Sequence, residues 1–580
     1  MTSLSEFWIS RVLSELHELA GKRGKASNNF AGIISVGRPP ESTMGDISFP
    51  LFPYAKYLEL NPVLIASTIA EKLSGEGIRA NAAGGYLNIH IDRVAAIAEL
   101  LSSILSPGAN WGSGNERRGE RVMFEYSSPN TNKPLHLGHL RNDVLGESCA
   151  RILSSRGAEV LRVNLVNDRG VHICKSMLAY RKFGNGETPE ELRVKSDRFV
   201  GDFYAKFVQW ARKDSSAEER AQKMLRDWES GDEEVRKLWK TMNEWALSGI
   251  EATYRRTGIS FDRIYKESET YLQGRAEVLE GLRRGIFYKR DDGSVCLDMD
   301  EIGLDTKVLL RSDGTTVYIT QDLGTAIRRY EDWPFDQLIY VVGSEQQYHF
   351  RVLFHVLDKL GYPWASKLRH LSYGMVNLPE GKMKSREGTV VDADELIDKL
   401  SNLALAEIKS KGREKLVGNA SDIAEKIALA ALHYFLLQVS PAKDMIFNPE
   451  ESLSFNGNTG PYLQYTAARI NSLIVKAPGD VLIMDADPRL LNRDDEWDLC
   501  RRLGDFPDLV SKSAENLDPS ILAIGLHEIA RDFSRYYHEV PIAKAENRAL
   551  AAVRLNLARA VLAVLKKGFK LLNIPFVESM

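Results

Sequence analysis

The chain has 580 residues, 44% of them hydrophobic and 27% charged, with a formal net charge of −3. That length predicts roughly three or four domains, and the absence of any apolar run near ~18 residues excludes a helical membrane protein. The charge balance neither favours nor excludes a nucleic-acid partner, while Cys149, Cys174, Cys296 and Cys500 are too scattered for a disulfide framework or a zinc site and point to a cytoplasmic protein.

Leu4, Trp8, Val12, Leu16 and Leu19 recur at near-helical spacing, so the N-terminal segment reads as an amphipathic helix rather than a secretory signal. A second helix with Pro62 near its start and a strand at GGYLNIHI complete a small α+β unit. The glycine-rich, charged stretch GANWGSGNERRGER then places a boundary at about 115. Beyond it, RVMFEYSSPN reads as a buried strand breaking into a loop, HLGHLRNDVLGESCARILSSRG as a helix ended by Gly157, and AEVLRVNLVNDRG as a second strand. This is a βαβ unit, the opening of a parallel sheet.

Residues 185–260 are charged and helical in pattern, anchored by Trp210, Trp228, Trp239 and Trp245, and read as part of an insertion near 185–310. Turns at Asp292-Gly293 and Asp313-Gly314 flank SVCLDM and TTVYIT, both of which carry hairpin-strand signals. DQLIYVVG followed by a helical pattern resumes the α/β order. From about 400 strands vanish, and DIAEKIALAALHYFLLQ and ALAAVRLNLARAVLAVLKKGFKLL mark an α-helical bundle. The expected domains are therefore 1–115, α+β; 116–400, a parallel-sheet α/β domain with its helical insertion; and 401–580, all α.

The stretch NTNKPLHLGH sets Lys133, His136 and His139 at the entrance of a helix, just after the first strand of the sheet. Ligands of open α/β sheets bind at such strand ends, and helix N-termini favour anions, so these side chains read as donors to phosphate oxygens. The competing reading is that the histidines cap the helix or pack beneath the loop.

SSPNTNKPLHLGHLRN resembles the signature of class I aminoacyl-tRNA synthetases in the form typical of arginyl-tRNA synthetases, and GKMKSREGTVV stands where that family carries its lysine-rich loop. The resemblance extends through ESETYLQG, TTVYITQDLGTA and SFNGNTGPYLQYTAARI. It implies a Rossmann-like catalytic domain, an N-terminal domain on the tRNA elbow and a C-terminal anticodon-binding domain. It also implies a monomer that joins L-arginine to its tRNA through an arginyl-adenylate, using ATP with Mg2+ and no zinc or other resident metal.

By that resemblance, catalysis falls to Lys133, His136, His139, Lys382 and Lys384. ATP meets His136, Gly138, His139, Lys382, Met383, Lys384 and Ser385, with Gly138 allowing close approach of the nucleoside. The loop departs from the family pattern, because Ser385, flanked by Lys384 and Arg386, occupies its usual second lysine position and Lys133 stands in for it. Arginine meets Glu125, Ser127, Asn130, Tyr318, Asp322 and Gln346, since a guanidinium is best held by planar acceptors.

Between Arg531 and Met580 there are nine Lys or Arg against four Asp or Glu. With Tyr462, Gln464, Tyr465, Arg469, Tyr536 and Tyr537 this suits single-stranded RNA, where bases stack on rings and phosphates meet cations. The other reading of these residues is a bundle with core tyrosines and solvated lysines. For the whole chain, a small-molecule nucleotidyltransferase and a catalytically inactive tRNA-binding paralogue remain the alternatives.

Overall fold

The computed structural model describes residues 4–74, 79–377, 379, 391–412, 419–482 and 486–580. They fall into two compact units, one of Met1–Ser113, Arg469–Ser511 and Glu528–Lys567, the other of Gly114–Ala468, Lys512–His527 and Gly568–Met580. The helices of the last third are thus shared between the two units.

The first unit begins with α1 (Leu4–Lys22), β1 (Ile47–Pro50), α2 (Pro62–Ser74), β2 (Arg79–Ala83) and β3 (Tyr86–His90), whose strands form an antiparallel sheet in the order β1-β3-β2. Trp8, Val12, Leu16 and Ala20 recur every fourth residue along one stripe of α1. They share a core with Ile65, Ile69 and Leu73 of α2 and with Phe49, Leu87 and Ile89 of the sheet. Later helices join the same unit: the Trp497 ring N–H donates to Asp46 Oδ1 at 2.8 Å, and Arg93 pairs with Asp46 and Asp494.

The second unit carries β4 (Arg121–Glu125), α3 (Leu137–Ser155), β5 (Glu159–Val166), α4 (Val171–Phe183), α5 (Ser196–Ala211), α6 (Ser216–Ser230), α7 (Glu233–Thr257), β6 (Arg263–Lys266) and α8 (Glu267–Arg283). A small antiparallel sheet of β7 (Tyr288–Lys289), β8 (Val295–Leu297) and β9 (Lys307–Leu310) follows, then α9 (Tyr318–Asp332), β10 (Gln337–Gly343), α10 (Gln347–Leu360) and β11 (Leu368–Tyr373).

The main sheet is parallel throughout, in the order β11-β10-β4-β5-β6. Val122, Met123 and Phe124 of the central strand are fully buried, as expected of a parallel sheet covered on both faces. The chain builds to one side of β4 through β5 and β6, and later to the other through β10 and β11. The β4–β10 edge is therefore the topological switch point, where a crevice opens at the strand ends.

The tryptophans of the insertion pack as their spacing suggests, Trp228 buried with Phe199, Phe203 and Phe207, and Trp210, Trp239 and Trp245 partly buried against them. Two sequence readings are corrected. TTVYIT is not a strand: after the Asp313-Gly314 turn only Thr316 bridges back to Leu310, and α9 begins at Tyr318. Ile319, Leu323, Ala326 and Ile327 at helical spacing drive that choice, and the Thr320 hydroxyl donates to Leu309 C=O while accepting from Val317 N–H. Nor do strands end at 400, because β12 (Val376–Asn377) pairs in parallel with β13 (Met445–Ile446). Otherwise the last third is helical, with α11 (Ala393–Ser410), α12 (Ala420–Leu437), α13 (Gly460–Val475), α14 (Pro519–Glu539) and α15 (Arg548–Leu571). No helix among the described residues is long and apolar enough to cross a membrane.

Candidate active site

At the carboxyl end of β4 the chain loops through residues 126–136 and enters α3 at His136. The two histidines close the helix entrance reciprocally: His136 Nδ1 accepts from Gly138 N–H at 3.1 Å, and His139 Nδ1 accepts from His136 N–H at 3.2 Å. Their rings lie 3.9 Å apart. A Cβ on Gly138 would lie 3.0 Å from the His136 ring, so any larger residue there would press on the capping ring.

Burial, with Lys133 adding to it, holds His136 down to about 3; burial, then His136 and Lys133, holds His139 well below the usual range. Both rings are therefore neutral, and because Nδ1 accepts in each, the proton sits on Nε2. Lys133, lowered from the ordinary lysine value by burial, lines a cavity of about 480 Å³ with Asn130, Asn132, His136 and His172. The Val391 carbonyl accepts from Leu137 N–H at 3.3 Å and Ala393 N–H donates to Leu135 C=O at 2.9 Å, so the last residue of the lysine-rich signature and the chain just after it pair with the histidine segment. Lys382, Met383, Lys384, Ser385 and Arg386 themselves lie outside the described residues.

A second cavity, of about 390 Å³, opens beside the switch point and gathers Glu125, Tyr318, Asp322 and Gln346 with Ser128, Asn167, Glu267, Gln321 and His349. Four of the six residues expected to hold arginine thus converge. Tyr318 is exposed at 72%. Asp322 Oδ2 lies 2.5 Å from His349 Nε2. Glu125 is buried against Arg329 and accepts from the Ser128 hydroxyl at 3.1 Å. Ser127 and Asn130 are not brought to this cavity: the Ser127 hydroxyl is turned to Tyr254, and Asn130 lines the other one.

Family models match along the chain: the class I (R) tRNA synthetase catalytic domain over residues 100–449, the DALR anticodon binding domain over 463–580, and the arginyl tRNA synthetase N terminal domain over 8–91. An arginine–tRNA ligase of Treponema denticola is 55% identical over 94% of this chain and 95% of its own length. The chain belongs to the arginyl-tRNA synthetases. The arginine–tRNA ligase of Treponema pallidum is 52% identical over the full length of both chains. The solved arginyl-tRNA synthetase of Thermus thermophilus superposes with a TM-score of 0.81 at 27% identity, over 98% of this chain and 99% of that one.

In the synthetase, the residues expected to meet RNA divide by burial. In the second unit Tyr462 and Tyr465 are half-buried, Tyr462 lying 5.6 Å from the His527 ring. Gln464 between them is fully buried and donates to Lys426 C=O at 3.1 Å and Pro575 C=O at 2.7 Å, so it is a structural tie with no surface for RNA. In the first unit Arg469 and Tyr537 are half-buried, with the guanidinium 5.1 Å from the ring centre. Tyr536 is core, its hydroxyl donating to Glu496 at 2.9 Å.

Sequence reasoning passed over two charged residues of the synthetase's second cavity. Glu267 follows β6 directly, and an acid at the carboxyl end of a parallel strand is itself a signal. Burial, then Asp322, pushes its carboxyl up to about 8. The Gln321 amide oriented to suit its neighbours donates to Glu267 and accepts from Arg169 Nη1 at 2.9 Å. Arg329 lies on the buried stripe of α9 with Ile319 and Ala326, a charge on an apolar face that needed a partner, and Glu125 is that partner.

Proposed function

We propose that the two cavities divide the substrates of one reaction, ATP phosphates beside Lys133, His136 and His139 and arginine between Glu125, Tyr318, Asp322 and Gln346. The family reaction, charging tRNA with arginine at the expense of ATP for protein synthesis, is the one this chain carries out. The arginine carboxylate attacks the α-phosphate of ATP, pyrophosphate leaves, and the arginyl-adenylate is passed to the terminal adenosine of the tRNA. Negative charge spreads over phosphate oxygens in the transition state, so preorganised donors carry the acceleration. The Nε2–H groups of the two neutral histidines and the Lys133 ammonium are such donors. Mg2+ arrives with ATP as part of the substrate complex.

Glu125 carries its charge against Arg329 and orients Ser128, while Asp322 and Glu267 supply acceptors to the guanidinium. Lys382, Met383, Lys384 and Ser385 complete the phosphate site. Tyr462, Tyr465, Arg469 and Tyr537 supply stacking faces and a cation for the tRNA. The segment 401–580 serves as the anticodon-binding part, 116–400 as the catalytic part and 1–115 as the elbow contact, in a monomeric cytoplasmic enzyme.

The observation that carries the assignment of sites is the convergence of Asp322, Glu267, Tyr318 and Gln346 on one cavity at the switch point. Arginine-dependent ATP–pyrophosphate exchange, run with and without tRNA, tests it: exchange is expected only with tRNA present. Robust exchange without tRNA would refute the tRNA requirement, and no exchange in either case would refute the adenylate route.

A further inference from the structure

The ladder between β4 and β10 ends at the pair Glu125–Tyr340. Just beyond it, one side chain takes the place of a rung. Asn142 of α3 accepts from Ser127 N–H at 2.5 Å through Oδ1, and its Nδ2 donates to Val341 C=O at 2.5 Å and to the Tyr373 hydroxyl at 3.2 Å. On the other side of β4, Asn164 of β5 accepts from Ser128 N–H at 3.1 Å and donates to the Tyr254 hydroxyl at 3.2 Å. That hydroxyl, on α7 of the insertion, shares a 2.5 Å hydrogen bond with the Ser127 hydroxyl.

What these groups hold is unusual backbone. Ser127 and Ser128 are consecutive non-glycine residues with φ of 74° and 48°. Such left-handed conformations are uphill for residues with a Cβ and persist where surroundings over-determine them. The holding groups are all buried, Asn142 at 6%, Asn164 at 1% and Tyr254 at 7% exposure, and none of them lines the arginine cavity. Ser128 does line it, and its hydroxyl donates to Glu125.

We propose that Asn142, Asn164 and Tyr254 are positioning residues for arginine, which clamp the left-handed Ser127–Ser128 turn and thereby fix Ser128 and Glu125 at the wall of the cavity. The proposal rests on reading that cavity as the arginine site. It also gives the insertion a part in substrate recognition, since α7 contributes the Tyr254 hydroxyl.

Tyr254→Phe removes one oxygen and leaves the ring packed on Phe261 at 5.1 Å. In tRNA-dependent pyrophosphate exchange it should raise the arginine KM by at least ~10-fold, with the ATP KM and tRNA affinity within about threefold of the parent enzyme. Ser127→Gly added to that variant should restore the arginine KM to within about threefold, because glycine adopts the left-handed form without being held there. A merely structural tyrosine predicts neither the selective KM change nor the rescue, so equal loss in all parameters, or no rescue, overturns the proposal.

Asp322→Asn, measured alongside, separates the two levels. A raised arginine KM in Asp322→Asn with none in Tyr254→Phe overturns the clamp alone. An unchanged KM in Asp322→Asn overturns the reading of the cavity and the clamp with it. Asn142→Ser, which shortens the bridging side chain, repeats the measurement from the other side of the turn and is expected to raise the same constant.

Discussion

Arginine entering its cavity should drive a proton off Glu267, and its affinity should therefore climb with pH. Burial is the main reason that this carboxyl is pushed up to about 8, Asp322 and Asp168 add to it, and Arg169 opposes them. A protonated carboxyl is a neutral donor, whereas the guanidinium needs an ionised acceptor. With a pKa of about 8, roughly 1% of the empty sites hold the carboxylate at pH 6, about 10% at pH 7 and about half at pH 8. Because only the ionised form pairs with the cation, the apparent Kd for arginine should fall about 50-fold between pH 6 and pH 8. Calorimetric titration in two buffers of different protonation enthalpy reads the proton directly, and close to ~0.9 proton should be released per arginine at pH 7. Glu267→Gln should bind weakly and lose this pH dependence. An affinity flat over that range, with no buffer-dependent heat, would show that Glu267 is already ionised in the empty site or does not face the guanidinium, and would refute the reasoning.

Lys133→Ala should slow adenylate formation by at least ~10²-fold, or ~2.7 kcal/mol of transition-state stabilisation, in single-turnover measurements. A proportionate loss of tRNA binding would instead make Lys133 an RNA contact. Asp322→Asn turns an acceptor into a donor facing the guanidinium, and arginine kcat/KM should fall by the equivalent of roughly 2–5 kcal/mol while ATP binding holds; a change within about threefold would overturn the reading of that cavity as the arginine site. Gln464→Ala leaves the Lys426 and Pro575 carbonyls without their donor and should lower stability to urea by about 1–3 kcal/mol. An unchanged midpoint would mean that the Gln464 tie carries no net stability.

The sequence makes the βαβ opening legible because β4, α3 and β5 are fixed by local patterning: a strand built on the apolar run Val122–Phe124, a helix stopped at Gly157, a second strand. Asp322 and Tyr318, which line one cavity, are singled out through the family resemblance rather than through spacing. The structure of TTVYIT is not legible in the same way. Its β-branched residues favour a strand locally, and only the apolar stripe running on to Ile327 decides for a helix. Gln464 and Tyr536 show a second limit, since their side-chain types suit RNA but their positions on buried helix faces do not. Asn142, Asn164 and Tyr254 are polar residues whose partners are distant in sequence, which no pattern along the chain encodes.

The reciprocal bonds between His136 and His139 have a consequence for how this enzyme can change over evolutionary time. The same two rings that we propose meet the phosphates also close the first turn of α3, so a mutation that removes that chemistry also removes a helix cap, at a cost of about 0.5–2 kcal/mol. An inactive descendant that kept its fold would have to replace one function without the other. A serine, aspartate or asparagine at position 136 would do so, because each accepts the same backbone N–H from a short side chain. On that reading, a chain of this family carrying one of them at that position, with the rest of the fold intact, is expected to have given up adenylation and kept its shape.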